Sequence, residues 1–467
     1  MRTSVVSYKD LNFEFRIDAE YYRAEVLDSI KLLDRKDSAV LSDLASFVIG
    51  PFGSTVTVDQ YVPQSNFRYV RNKDINDFQI SDDEQAYIPE NVYKALPQFH
   101  IKENDLLITV VGTLGKVAIA TKKDTASIFS CKSTIIRAKK IDPFYLLTYL
   151  NSSVGQLFSL RGVRGAIQQG LNLSDLKEIK VFLPSEGFQT NIKEIVSKAF
   201  GFTAEADRLY SQAEQTLLSE LGILNWKPKH RLSFVKKYSD TESAGRIDAE
   251  YFQPMYDEIL EAVKKYRHGF ESVMTLFKQN RSSFKNKPDK LYRYVEISSV
   301  NTSSGEIDSL SLIGKELPAN AKIKLNCGDL IISKVRTYRG AVAIIHDDGL
   351  VGSGAFTVLK ESEKMNKETA YIFFKSAPIL RLSLKYNAGT SYPVIDDKDV
   401  LNLPFPLIPK EIQENLKQKI TEMYDAKALS RRLLDLAKRG VEMAIEKNEK
   451  DARIWIEAEL KKSGVEI

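Results

Sequence analysis

Apolar residues recur at steps of three and four from Phe188 onward: Phe188, Ile192, Ile195, Ala199, Phe202, Ala206, Leu209, Ala213, Leu217 and Leu221. This is an a/d-like seam sustained over four to five heptads, and it predicts one long helix with a single apolar stripe. Adding 224 to each position gives Ile412, Leu416, Lys419, Met423, Ala426, Ser430, Leu433, Ala437, Val441 and Ile445, eight of which are apolar. A second long helix with the same stripe is therefore predicted. Pro184 and Pro409 stand just before the two seams, where a chain entering a helix tolerates proline. Each stripe must be buried. It packs either on its own neighbouring domain or on the other stripe, and the antiparallel pair of helices is the simpler solution. A helix of about 34 residues spans roughly 50 Å, on the order of 15 base pairs of DNA.

The remainder alternates short β-rich runs with turn residues. Leu106–Val111, Val117–Ala120 and Ser133–Arg137 are expected strands, as are Leu330–Val335, Ala341–Ile345 and Ala355–Leu359. Gly, Asn and Asp punctuate them, as in a small mixed α/β domain.

These runs repeat in order. Arg16-Ile17-Asp18-Ala19-Glu20-Tyr21-Tyr22 returns 230 residues later as Arg246-Ile247-Asp248-Ala249-Glu250-Tyr251-Phe252. Phe67–Val70 matches Tyr292–Val295, and Asn104–Ile108 matches Gly328–Ile332. Val117–Ile119 matches Val342–Ile344, and Asp175-Leu176 matches Asp399-Val400. A repeat this long is a duplicated domain rather than a small-unit solenoid. The expected organisation is a mixed α+β chain: domain 1 over 1–187, a central helix over 188–225, a linker over 226–245, domain 2 over 246–410, and a C-terminal helix over 411–460. In each copy of the motif Asp18 or Asp248 is placed to cap a following helix. The motif reads as structural, its aromatics packing at the domain base, in preference to a recognition element.

Composition adds limits. The 467 residues exceed one ordinary core. Lys+Arg number 67 against 62 Asp+Glu, a mildly basic balance that permits a nucleic-acid partner without demanding one. Only Cys131 and Cys327 occur, too few for a disulfide framework, so a reducing compartment is expected. The start lacks a signal-peptide core, and no stretch approaches a membrane span, so the cytoplasm is expected.

Catalytic signatures are missing. The four histidines are scattered and away from the cysteines, so a zinc site is not expected. No phosphate-binding Gly-Lys-Ser/Thr loop, dinucleotide fingerprint, amino-methyltransferase Asn-Pro-Pro-Tyr motif or nucleophile turn is present. Asp396-Asp397-Lys398 fits a nuclease Asp-x-Lys pattern only by force. An enzyme acting by itself is not expected.

The polar loops carry more. Gly50–Thr55 presents Ser54 and Thr55 between glycines; Gly112–Lys116 joins two strands, and its counterpart Lys334–Gly340 holds three cations and a tyrosine. Arg161–Gly170 corresponds to Asn387–Pro393. Arg281, Lys285 and Lys287 form a further basic cluster. Glycine lets a backbone approach a phosphate, and Arg, Lys, Gln and Asn match phosphates and base edges. Ordinary solvated loops are the alternative for any one residue. Recurrence at matching places in both halves favours binding for the set.

The duplicated Arg-Ile-Asp-Ala-Glu-Tyr-aromatic segment, the Gly50-Pro51-Phe52-Gly53-Ser54 turn, Asp105–Ile108 with Gly112–Gly115, and the run from Gly165 to Pro184 into a heptad helix resemble the specificity subunit of type I restriction–modification systems. The resemblance covers essentially the whole chain. It implies two target recognition domains, each reading one half of a split DNA sequence, held by two long antiparallel coiled-coil helices that set the gap. It implies two docked methyltransferase (modification) subunits that bind S-adenosylmethionine, no cofactor or metal in this chain, and a restriction and translocase subunit in the full complex. The candidate DNA-binding residues are Ser54, Thr55, Arg71, Lys73, Thr113, Lys116, Arg161, Arg164, Gln168 and Gln169 in the first half. In the second they are Arg281, Lys285, Lys334, Arg336, Tyr338, Arg339, Thr390, Ser391 and Tyr392. The second half departs from the pattern: it lacks the Gly-Pro-Phe-Gly-Ser turn and replaces Gly-Thr-Leu-Gly by Arg336–Gly340. A two-headed protein-binding scaffold with no DNA preference is the competing reading; steep salt dependence of DNA binding separates the two.

Overall fold

The computed structural model describes every residue except 1–3, 9–10, 12–15, 166–168, 228, 388–391 and 467. It divides into two units: unit 1 takes Met1–Thr203 with Lys427–Ile467, and unit 2 takes Ala204–Ala426.

Unit 1 is built on a five-stranded sheet in the order Ala45–Ile49, Ser133–Ala138, Leu106–Thr109, Val117–Ile119, Phe78–Gln79. A three-stranded sheet places Phe67–Val70 between Ala86–Ile88, antiparallel, and Ser127–Phe129, parallel. Ser38–Val40 pairs with Lys180–Phe182 as a separate ribbon. Leu106, Leu107 and Ile108 are all buried, which explains the unbroken apolar run: this central strand is covered on both faces.

Unit 2 repeats the plan. Lys278–Gln279, Phe356–Lys360, Leu330–Ser333 and Val342–Ile344 form one sheet in that order. Leu291–Val295 again has a parallel neighbour, Leu350–Ser353, and an antiparallel one, Leu310–Ile313. Ala321–Leu325 adds a fourth strand, and Phe270–Ser272 pairs with Pro404–Pro406 as the ribbon. The duplication is thus one of strand order and direction.

The repeated Asp of the Asp-Leu-Leu-Ile run is buried in both units and takes a different partner in each. Asp105 accepts two 2.7 Å bonds from the Arg137 guanidinium. Asp329 accepts from Asn280 Nδ2 at 2.7 Å. The residue before it sits at φ 68° in Asn104 and 87° in Gly328, the left-handed region that Asn and Gly tolerate best. That requirement accounts for an Asn aligned with a Gly.

The two long helices run Glu186–Glu220 and Lys410–Glu446. In unit 1, Phe188, Ile192, Ile195 and Ala199 are buried in one core with Leu433, Ala437, Val441 and Ile445. In unit 2, Ala206, Leu209, Ala213 and Leu217 are buried, as are Leu416 and Met423. Each unit therefore joins one end of the first helix to the opposite end of the second, an antiparallel coiled coil. Polar members of the seam find partners: Thr203 and Ser430 hydroxyls meet at 2.9 Å, and Lys419 Nζ donates to Gln212 at 3.4 Å.

Two expectations are corrected. The 411–460 stretch carries two helices. Asn448 Oδ1 accepts from Asp451 N at 2.9 Å and caps a new helix, Glu449–Ser463, whose Ile456 and Leu460 enter the unit 1 core. Gly440 permits the approach, since a Cβ there would lie 2.7 Å from Ile456 Cδ1. Asp18 and Asp248 do not cap helices. Each accepts from the backbone N–H of Tyr21 or Tyr251 (3.1 and 3.2 Å), closing a turn, and the helices begin later, at Ala24 and Pro254.

Candidate nucleic-acid interface

In unit 1 the strand end at Val110 gathers three segments. Val110 N donates to Lys132 O, and Leu171 N donates to Val110 O, both at 2.9 Å. Gly170 and Arg164 exchange backbone bonds of 2.9 and 3.0 Å. Gly50 lies against Ser130, where an added Cβ would meet the Ser130 carbonyl oxygen at 2.2 Å, so the Gly50–Thr55 turn joins the same edge. Thr55 N donates to Phe52 O at 2.8 Å, which exposes Phe52, Gly53 and Ser54 at the tip.

Unit 2 assembles the equivalent edge from the equivalent bonds. Lys334 N donates to Ala355 O at 2.8 Å, and Ile395 N donates to Lys334 O at 2.9 Å. Arg336 N donates to Pro393 O at 2.8 Å. In each unit the strand end that leads into the first loop is thus bonded to the chain that follows the second: Val110 and Val111 to Leu171 and Gly170, and Lys334, Val335 and Arg336 to Ile395, Val394 and Pro393.

The repeated motif holds the stem of the second loop in each pair. Arg16 pairs with Asp18 and also reaches the carbonyls of Gly162 and Val163 at 3.5 and 3.4 Å. Arg246 pairs with Asp248 and reaches the Asn387 carbonyl at 3.1 Å. These guanidiniums hold the Asp18 and Asp248 carboxyls below the usual carboxylate range. Tyr21 carries Arg161 on its ring at 3.7 Å, and Tyr251 carries Lys385 at 4.1 Å. Burial pushes the pKa of both cations down.

The candidate residues fall into distinct settings. Ser54 and Thr113 are exposed on loop tips and Thr55 is partly covered. Arg71 is bound to Asp74 at 3.1 Å, Lys73 to Glu84 at 2.7 Å and Lys116 to Asp77 at 2.6 Å. Arg161 is engaged with Tyr21, and Arg164 grips Asp175 at 2.9 Å. Gln169 is exposed. Lys334 pairs with Asp397 at 3.3 Å, which places that aspartate in a surface ion pair. Arg336 stacks over the exposed ring of Tyr392 at 5.0 Å, and Tyr338 and Arg339 follow on the same turn, Arg339 exposed. Gln168, Thr390 and Ser391 lie outside the described residues.

Arg281 and Lys285 belong to a separate segment that runs beside Ala321–Leu325: Phe284 N donates to Lys322 O at 2.9 Å and Lys324 N to Ser282 O at 3.0 Å. Sequence reading missed Lys322 and Lys324, both exposed, which extend that basic segment. Their alternation with Ile323 was the available signal. Phe52 was missed too, because attention to the hydroxyls of its turn passed over the ring beside them.

Residues 66–214 match the family model of the type I restriction modification DNA specificity domain. Those residues, about a third of the chain, are what the family model covers. The matched span takes in residues 112–116 and 161–170 and most of the central helix, and begins after the Gly50–Thr55 turn. It is 28% identical over 149 residues to the specificity subunit of the type I restriction enzyme EcoBI from Escherichia coli, a match covering 32% of this chain and 31% of that relative. It is 20% identical over 390 residues to the putative type I restriction enzyme MjaX specificity subunit of Methanocaldococcus jannaschii, covering 81% of this chain and 85% of the relative. Among solved structures, the type I restriction-modification system S subunit from M. genitalium is similar over 88% of this chain and 95% of its own, with 14% identity and a TM-score of 0.39. Among the described residues no helix is long and apolar enough to cross a membrane.

Proposed function

We propose that this chain reads a two-part DNA sequence for a type I restriction–modification assembly and carries no catalytic step itself. One loop pair in unit 1 and its equivalent in unit 2 each face one half of a double-stranded target. The long helices fix the interval between the halves and offer docking surface to two modification subunits. S-adenosylmethionine belongs to those subunits, and a restriction and translocase subunit joins the complete complex. The observation that carries the reading is the repeated edge: the same backbone bonds join the same two loops in both units, while the loop sequences differ. Equal frames with unequal loops suit two unequal half-sites.

Within each edge, the exposed side chains at Ser54, Thr113, Gln169, Arg339 and Tyr392, with Arg336 against Tyr392, suit base edges and phosphates. Arg161 and Arg164 act on DNA indirectly, by shaping the loop stem. Lys322, Lys324, Arg281 and Lys285 suit the phosphate backbone beside the unit 2 half-site. The test is to sequence the methylated motifs of genomic DNA in cells with and without this chain. A split motif that appears only with the chain is expected. Co-purification with a modification subunit but no sequence preference on DNA overturns the reading.

A further inference from the structure

The Gly50–Thr55 turn hides its smaller apolar members and leaves the largest in water. Pro51 within it and Val56 just beyond it are buried, Val56 in a core with Tyr69, Ile88 and Ile128. Phe52 between them is 88% exposed. Isolated exposed apolar residues are ordinary on any surface. This one stands on a turn held at both ends. Gly50 N donates to Ser133 O at 3.3 Å, and Thr55 N donates to Phe52 O at 2.8 Å. Gly53 rests beside Cys131, whose sulfur would lie 3.6 Å from an added Cβ. A fixed backbone thus displays the ring, so little ordering entropy is lost when a partner covers it.

Lys132 follows Cys131 in the turn against which that tip rests. It is exposed, and among the described residues no carboxylate pairs with it. Its carbonyl accepts from Val110 N, one of the bonds that build the unit 1 edge. A free cation beside an apolar ring suits a phosphate beside a base.

Unit 2 displays a ring on its edge too, but from another loop. Tyr392 is 68% exposed, and the Arg336 guanidinium covers one of its faces at 5.0 Å. Among the described residues no cation or second ring covers Phe52, and both of its faces are open.

We infer that Phe52 inserts between two adjacent base pairs of the half-site met by unit 1, with Lys132 on a neighbouring phosphate. Recognition of that half then depends on how readily one base step unstacks. Covering both faces of a ring takes a partner on each side, which a base step supplies and a thymine methyl does not. Pyrimidine–purine steps open most readily, so the ring selects sequence without a hydrogen bond. Tyr392, with one face taken, meets a base from one side and unstacks nothing. The inference rests on the proposed DNA-reading role.

The test uses the full chain assembled with its modification subunit, on duplexes carrying the motif that methylated-motif sequencing gives. Fluorescent aminopurine replaces each adenine in turn, and pyrrolocytosine each cytosine, so that unstacking is read as a rise in emission. At saturating protein the wild type is expected to give a several-fold rise at one step of one half-site. Phe52→Ala abolishes that rise and weakens binding by about tenfold, the size of loss that base–aromatic stacking implies. Phe52→Leu, still an apolar wedge, keeps the rise. Lys132→Ala keeps it as well, while weakening binding to every sequence and lowering its salt dependence. Thermal unfolding of all three variants matches the wild type. A pattern of emission that Phe52→Ala leaves unchanged overturns the inference, with the motif still recognised. So does a loss of affinity that uracil in place of thymine reproduces without unstacking. A wild-type assembly with no sequence preference overturns the DNA-reading role itself, and the inference with it.

Discussion

The Arg161 guanidinium lies over the Tyr21 ring at 3.7 Å while its Nε donates to the Tyr21 carbonyl at 2.9 Å. Lys385 does the same on Tyr251, with its Nζ 4.1 Å from the ring and 2.9 Å from the carbonyl. One cation thus binds both the face and the backbone of the motif's aromatic, at the root of a loop proposed to meet DNA. Arg161→Ala is expected to destabilise unit 1 by about 2 kcal/mol, from a lost cation–π contact and a charge-assisted hydrogen bond. Arg161→Lys recovers most of it, since unit 2 already uses lysine. Thermal unfolding, with hydrogen exchange of the 162–164 amides, measures both.

Arg336 holds φ at 50°, where a side chain is unfavourable by about 1 kcal/mol. Arg336→Gly should therefore unfold at a higher temperature than Arg336→Ala, by about 1 kcal/mol of stability. Both variants should lose affinity for one half-site and keep the other. Binding to duplexes carrying single half-sites separates the two effects. Equal stability of the Gly and Ala variants would contradict a strained backbone.

His346, packed edge-on against Tyr424 at 4.3 Å, is held below its ordinary pKa of 6.5 by burial. A depressed folded-state pKa means the unfolded chain takes up the proton first. Its contribution is present above about pH 6.5 and is lost as pH falls from there through the lower folded value. His346→Phe should flatten the fall in melting temperature below pH 6.5. An unchanged slope would remove His346 as its source.

One heptad inserted into Ala199–Leu217, with one in Met423–Val441, preserves both seams and should lengthen the gap in the recognised motif. The half-sequences stay the same. Methylated-motif sequencing reads both, and altered bases at a constant gap would defeat the spacing role.

Much of this fold was legible because its signals are local and repeated. The seam from Phe188 to Leu221 shows on one helix face, and all but Phe202 of its ten residues are buried. The strands around Leu106–Thr109 and Leu330–Ser333 appear as apolar runs between turns. What escaped depends on partners far away in sequence. The helix break at Asn448 brings Ile456 onto Gly440, and Gly440 alone looks like a neutral helix residue. Arg164 reads as a loop cation until Asp175 is found beside it. The Asp18 turn mimics a helix cap because both use an Asp accepting an amide three residues on.

The division of the chain also bears on how it is made. Unit 2 is one uninterrupted segment, Ala204–Ala426, whereas the core of unit 1 includes Leu433, Val441, Ile456 and Val465 from the far end of the sequence. On the ribosome, the half synthesised first is therefore the half completed last. It waits, with its seam uncovered, until the second half has emerged and the final helices arrive to close it.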